Sequence, residues 1–167
     1  MELAQQISHE LKKEVKRRIL EESIPRIGIC VEKLTDEQVW WRPNAESNSV
    51  GNLILHLCGN AGQWILSGVA GQPDIRQRQL EFDEKGPIPR ADLLSLLEQT
   101  ALEIRPIIEQ VQPDEFIQSR KVQVFEESVL AILIHVTEHF SYHTGQITWI
   151  TKMLTEDQVG FYEDLKL

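Results

Sequence analysis

The stretch HVTEHFSYHTGQ, residues 135–146, sets three of the chain's five histidines at intervals of four. A helix repeats every 3.6 residues, so His135, His139 and His143 share one face. The same stripe runs from Ile132 to Gln146 and Ile150, and Leu130, Ile134, Phe140 and Ile147 lie beside it. The histidines therefore sit on the core side of a helix that Ser128 caps and that runs about 25 residues, through Leu154. Burying imidazoles without partners costs a few kcal/mol each, so something must compensate. A divalent cation does so, because two histidines at i and i+4 reach one ion. All three cannot, since His135 and His143 stand about 12 Å apart along the axis. One adjacent pair chelates, and the remaining histidine has another role.

The rest of the chain also reads as helix. The first segment extends from about residue 3 to Leu34, with Pro25 expected to kink it. TDEQ, residues 35–38, opens a short turn, and Ser47 or Ser49 caps a second helix at about 49–67. A connection over 71–90 follows, long enough to be functional or partly structured. A third helix begins near Ala91 and is expected to be disturbed at Pro106, and residues 113–128 read as an extended crossing. There is no strand–helix alternation, no phosphate-binding glycine loop and no repeat. The expected fold class is all-α, a four-helix bundle with long connections formed by one domain, residues 1–167.

The second helix supplies a third imidazole, because NLILHLCGN places His56 among Leu53, Leu57 and Trp64 on a face turned inward. Together with an H-x-x-x-H on another core helix, this spacing points to a three-histidine metal site. A chain of 167 residues can bury about two-thirds of its unfolded surface and needs no metal merely to fold. A metal here would be functional. His9 lies among surface charges. Cys58 is about 200° round the helix from His56, and neither Cys30 nor Cys58 has C-x-x-C spacing, so both read as buried, reduced thiols.

The net charge of −9 argues against nucleic acid as a partner, and KKEVKRR is interleaved with acids as a solvated face. The longest uncharged run is broken by polar residues and glycines and predicts no membrane span. The N-terminus lacks the apolar core of a signal peptide, so a cytoplasmic location is expected.

WRPNAESNSVGNLILHLCGN, followed far downstream by HVTEHFSYHTGQI, resembles the DinB superfamily of YfiT-like metal proteins, and its DUF1572 branch in particular. The resemblance spans nearly the whole chain. It implies a four-helix bundle in which His56, His139 and His143 bind one divalent ion per subunit, with His135 at a variable position. It also implies that R-x-R-x-x-E-F, here Arg76, Arg78, Glu81 and Phe82, arches over the bundle mouth near the metal. Similar proteins include transferases that use bacillithiol, mycothiol or glutathione, so a low-molecular-weight thiol becomes a candidate substrate.

Two functions follow as expectations. One is an enzyme in which three neutral imidazoles leave an ion, zinc or nickel first and iron or manganese next, an open position to activate a thiol or water. Asn52, Asn60, His135, Gln146, Arg76 and Arg78 are then candidates to orient ligands or substrate. With no clear carboxylate base, thiol transfer is favoured over hydrolysis. The other is a metal-binding or stress-response protein without turnover. Trp149 and Met153 on the outer face of ITWITKML further predict a homodimer with one site per subunit.

Overall fold

The computed structural model describes residues 2–163. Its first long helix is made of α1 (Leu3–Lys16), a π-wound stretch (Arg17–Ser23) and α2 (Ile24–Lys33). Pro25 stands in the first turn of α2. Its ring has no N–H and crowds the carbonyl four residues back, and the wider winding just before it absorbs that mismatch without ending the helix. After Leu34, Thr35 caps the short α3 (Asp36–Val39): Gln38 N donates to Thr35 Oγ1 at 3.2 Å, and Thr35 N donates to Gln38 Oε1 at 2.9 Å.

Ser49 caps α4 (Val50–Ala61), which continues as a second π-wound stretch (Gly62–Val69) two residues past the expected end. The long connection contains α5 (Arg78–Asp83). α6 (Arg90–Gln110) passes through Pro106 rather than breaking there. Pro106 is exposed, and the carbonyl it orphans belongs to Leu102, which is 66% exposed, so water can satisfy it. The extended crossing closes into an antiparallel hairpin, β1 (Ser119–Val122) with β2 (Phe125–Ser128), in the register Ser119↔Ser128 to Val122↔Phe125. α7 (Val129–Thr155) starts at the Ser128 cap, where Ala131 N donates to Ser128 Oγ at 3.1 Å.

The chain is thus an all-α bundle with a marginal two-stranded ribbon. The four long helices meet in one core, where Ile27, Ile54, Leu57, Ile104, Ile132 and Phe140 have no exposed surface. Each such side chain contributes about 1.5–3 kcal/mol by leaving water. No described helix is long and apolar enough to cross a membrane. Within this frame α4 and α7 run antiparallel, with His56 facing His139 and Asn60 facing His135, one turn further along both helices.

Candidate metal centre

Three imidazoles converge in the bundle. The ring nitrogens of His56 on α4 and of His139 and His143 on α7 include one from each that lie within 4.8 Å of one another. His56 Nε2 is 2.9 Å from His139 Nε2, and the ring centroids of His139 and His143 are 4.4 Å apart. His56 and His143 are buried, and His139 is partly so.

The outward nitrogens of two rings are already engaged. His56 Nδ1 is 2.9 Å from Glu81 Oε2, and His143 Nδ1 is 2.6 Å from Gln146 Oε1. A carboxylate and an amide oxygen can only accept, which assigns the proton to both Nδ1 atoms and inward lone pairs to both Nε2 atoms; Arg76 Nη2, 3.1 Å from His56 Nδ1, donates instead to Glu81 Oε2 at 2.8 Å. Desolvation, followed by the charges of His143 and His56, lowers the His139 pKa to about 3. Burial lowers His143 as well, although the Gln146 hydrogen bond opposes it. Neutral imidazoles with lone pairs directed at one point are the donor set that a divalent cation requires. The residues therefore fit such an ion.

The connection after α4 forms a strap that supplies the carboxylate. Arg76, with only 4% of its side chain exposed, pairs twice with Glu81: Nε to Oε1 at 2.7 Å and Nη2 to Oε2 at 2.8 Å. Burial works to raise the Glu81 pKa, but hydrogen bonds from Arg76 and His56 outweigh it and hold the carboxyl below its ordinary value. Arg76 Nη1 also donates to Gln63 Oε1 at 2.9 Å, and Gln63 Nε2 to Asp74 Oδ2 at 2.7 Å. Gln123, at the left-handed turn of the hairpin, hydrogen-bonds Gln63 Oε1 from above. The strap is tied to α4 by Asn52, whose Nδ2 donates to Glu81 O and Glu84 O, both at 2.8 Å. Arg42 Nη2 adds bonds to Phe82 O at 3.2 Å and Glu84 O at 2.9 Å.

The remaining residues singled out by sequence divide as follows. Asn52 is spent on the strap and on the Ser49 cap. Its amide anchors Glu81 through the main chain and does not face the imidazoles. Arg78 is exposed, with its guanidinium 4.8 Å over the Phe82 ring, and Phe82 packs 4.8 Å from His56. His135 lies outside the trio, between Trp64 at 4.2 Å and His139 at 5.4 Å, with Asn60 Nδ2 3.4 Å from its Nε2. Asn60 Oδ1 is buried without a partner. Gln146 grips His143, and its Nε2 donates to the Tyr142 hydroxyl at 3.3 Å. Sequence reasoning gave no role to Glu81 as the partner of His56 or to Gln63 as the hub beneath Arg76. The only trace of the former was the R-x-R-x-x-E-F pattern. Cys58 is inert, its thiol pushed up to about 12 by burial.

The family model described as "Protein of unknown function (DUF1572)" matches residues 6–162. The chain belongs to the DUF1572 family. Among solved structures it is similar to a DinB-like protein, YjoA, from Bacillus subtilis: TM-score 0.65 and 15% identity, covering 89% of this chain and 94% of that one. It is also similar to a DinB-like protein from Bacillus cereus, with TM-score 0.61 and 13% identity over 81% and 87% of the two chains. These DinB-like neighbours share the fold. None of the curated proteins matches the chain.

Proposed function

We propose that this DUF1572 protein binds one divalent cation through His56, His139 and His143 and uses it to activate a small thiol, or water, for attack on a small-molecule electrophile. The observation that carries this reading is the convergence of three imidazoles, two of which have their outer nitrogens already fixed by Glu81 and Gln146. A structural ion is ordinarily closed by four protein ligands, whereas three leave a position for a reactant. A divalent cation held by neutral ligands acts as a Lewis acid and lowers the pKa of a thiol or water that reaches it. Zinc and nickel suit imidazole best, and iron and manganese are the next choices.

The chain's own residues favour the thiol. Both oxygens of Glu81 are committed to Arg76 and His56, so this carboxylate orients a ligand and is poorly placed to remove a proton from water. A thiol needs less help from a base, because its pKa of about 8.5 lies far closer to neutrality than that of water, about 15.7. Asn60, whose buried Oδ1 has no partner, and its neighbour His135 would hydrogen-bond a reactant one turn above the trio. The test is metal analysis with a calorimetric zinc and nickel titration, followed by a screen of the loaded protein for loss of free thiol with bacillithiol or glutathione and an electrophile. Stoichiometric binding with thiol consumption supports the reading. Full loading without turnover assigns a metal-binding protein that is not an enzyme, and no binding removes the metal centre altogether.

A further inference from the structure

One face of α7 carries Tyr142, Gln146 and Trp149 at i, i+4 and i+7, and it does not close against the bundle. Tyr142 is 62% exposed and Trp149 61%. Opposite them the loop after α3 contributes Pro43 and Glu46, and the groove between, about 560 Å³, has Leu53 and Ile150 in its wall. That volume is the size of a small-molecule site. The groove touches the imidazole trio at two points. Gln146 lines it while holding His143 Nδ1 at 2.6 Å, and Tyr142 lines it with its ring 4.9 Å from that of His143.

Gly145 lines the same groove, in the interior of α7. A glycine there weakens a helix relative to alanine. Packing does not demand it, because a Cβ at position 145 would meet nothing within 4 Å. What its bare backbone does is leave the floor of the groove open between the two aromatic walls. The one charged residue among those described that lines the groove is Glu46, on its exposed rim. No basic side chain lines the groove, and the Glu46 carboxylate makes no ion pair among the described residues. Glu46 also borders the cavity on the other side of the loop, where Arg42 and Lys85 lie, yet it pairs with neither.

We infer that this groove binds the substrate through a planar aromatic group bearing a cationic substituent: the ring enters between Tyr142 and Trp149 over Gly145, and the cation meets Glu46. The inference rests on the proposed metal centre only for the claim that the bound molecule is acted on there. Binding itself is a property of the groove. Aromatic stacking and a cation near a ring face are the contacts that two exposed aromatics and an unpaired carboxylate provide.

The experiment uses the metal-free protein and three probes, 1-naphthylmethylamine, 1-naphthalenemethanol and 1-naphthoate, with binding followed by the Trp149 indole and Gln146 amide NMR signals. The amine is expected to saturate both signals and to bind about tenfold more tightly than naphthoate, and Glu46→Gln should remove that preference. Gly145→Phe should fill the groove and weaken the amine at least tenfold while leaving zinc affinity unchanged. Gly145→Ala should raise the melting temperature, which a glycine required by the fold would not allow. Unsaturable shifts, equal or tighter binding of naphthoate, or undiminished binding by Gly145→Phe overturns the inference. So does a scattering mass of twice 19.3 kDa that Trp149→Ser halves, because the occupant would then be a second copy of the chain. If zinc binds but the amine does not, this inference fails alone. If the amine binds but zinc does not, only the metal centre fails.

Discussion

A Cβ added to Gly59 would collide with the Glu81 carboxylate, whose Oε1 lies directly over that turn of α4. The absence of a side chain three residues after His56 leaves room for the Glu81 carboxylate to lie on α4 and reach His56 Nδ1 at 2.9 Å. Gly59→Ala should therefore push the Glu81 carboxylate away from His56 while α4 stays helical, since alanine is the better helix former. Partners of this kind typically contribute 10–100-fold to metal affinity. Zinc binding should weaken by about tenfold with an unchanged far-UV circular dichroism spectrum. Unaltered affinity in this variant would mean that Glu81 does not orient His56.

The ligand set has a direct test in single alanine variants. His56→Ala, His139→Ala and His143→Ala should each abolish or greatly weaken zinc binding measured by calorimetry. His135→Ala should retain most of it, because His135 packs against Trp64 and is absent from the convergent trio. A loss at His135 as large as that at His143 would show that the ion uses the other pair of imidazoles.

The i, i+4 spacing of His139 and His143 was legible because it is local, and so were the helix starts at Ser128 and at Ser49, the latter as one of two candidate serines, where one hydroxyl caps its own helix. The two π-wound stretches were not, because an apolar pattern cannot distinguish a slightly wider turn from an α-helix. The hairpin was missed because its turn has neither glycine nor asparagine. Gln123 takes the left-handed conformation, φ 55°, and its side chain is held from below by Gln63. Glu81 escaped for a different reason. Its role depends on Asn52, Arg42 and Gly59 fixing a strap across α4, and those contacts follow from the folded chain rather than from any spacing.

Acid should destabilise the metal-free protein. Burial lowers His139, His143 and His135 below the ordinary histidine value, His139 to about 3. The unfolded chain then binds more protons than the folded one as pH falls below about 6.5, so stability present at neutral pH is lost through that window. Each such proton contributes a slope of about 1.4 kcal/mol per pH unit. Glu81, lowered from 4.5, adds a loss of the same sign only at still lower pH. Urea unfolding at pH 7.5, 6 and 5 should show the decline, and His139→Phe should flatten it. Equal stability at all three values would refute the buried neutral histidines. Zinc affinity should fall over the same window, since the ion competes with protons for the same nitrogens.

Arg76 and Glu81 offer the sharpest separation of charge from shape. Their side chains are 4% and 11% exposed, so removing one partner strands the other charge in a poorly solvated place. Orphaning a buried charge costs about 3–5 kcal/mol, and replacing both partners with neutral groups costs far less. Arg76→Met should fall near the lower end, about 3 kcal/mol, because a short surface strap can admit water to the freed carboxylate. Arg76→Met combined with Glu81→Gln should recover much of that stability, since the glutamine amide oxygen can still accept from His56 Nδ1 without carrying a charge. Metal affinity should follow the oxygen and not the charge, staying closer to wild type in the double variant than in Glu81→Ala. Denaturant unfolding of the wild type, Arg76→Met, Glu81→Gln and the double variant gives the coupling energy. A double variant less stable than Arg76→Met would show that Arg76 acts through Gln63 and the strap's packing rather than through the Glu81 charge.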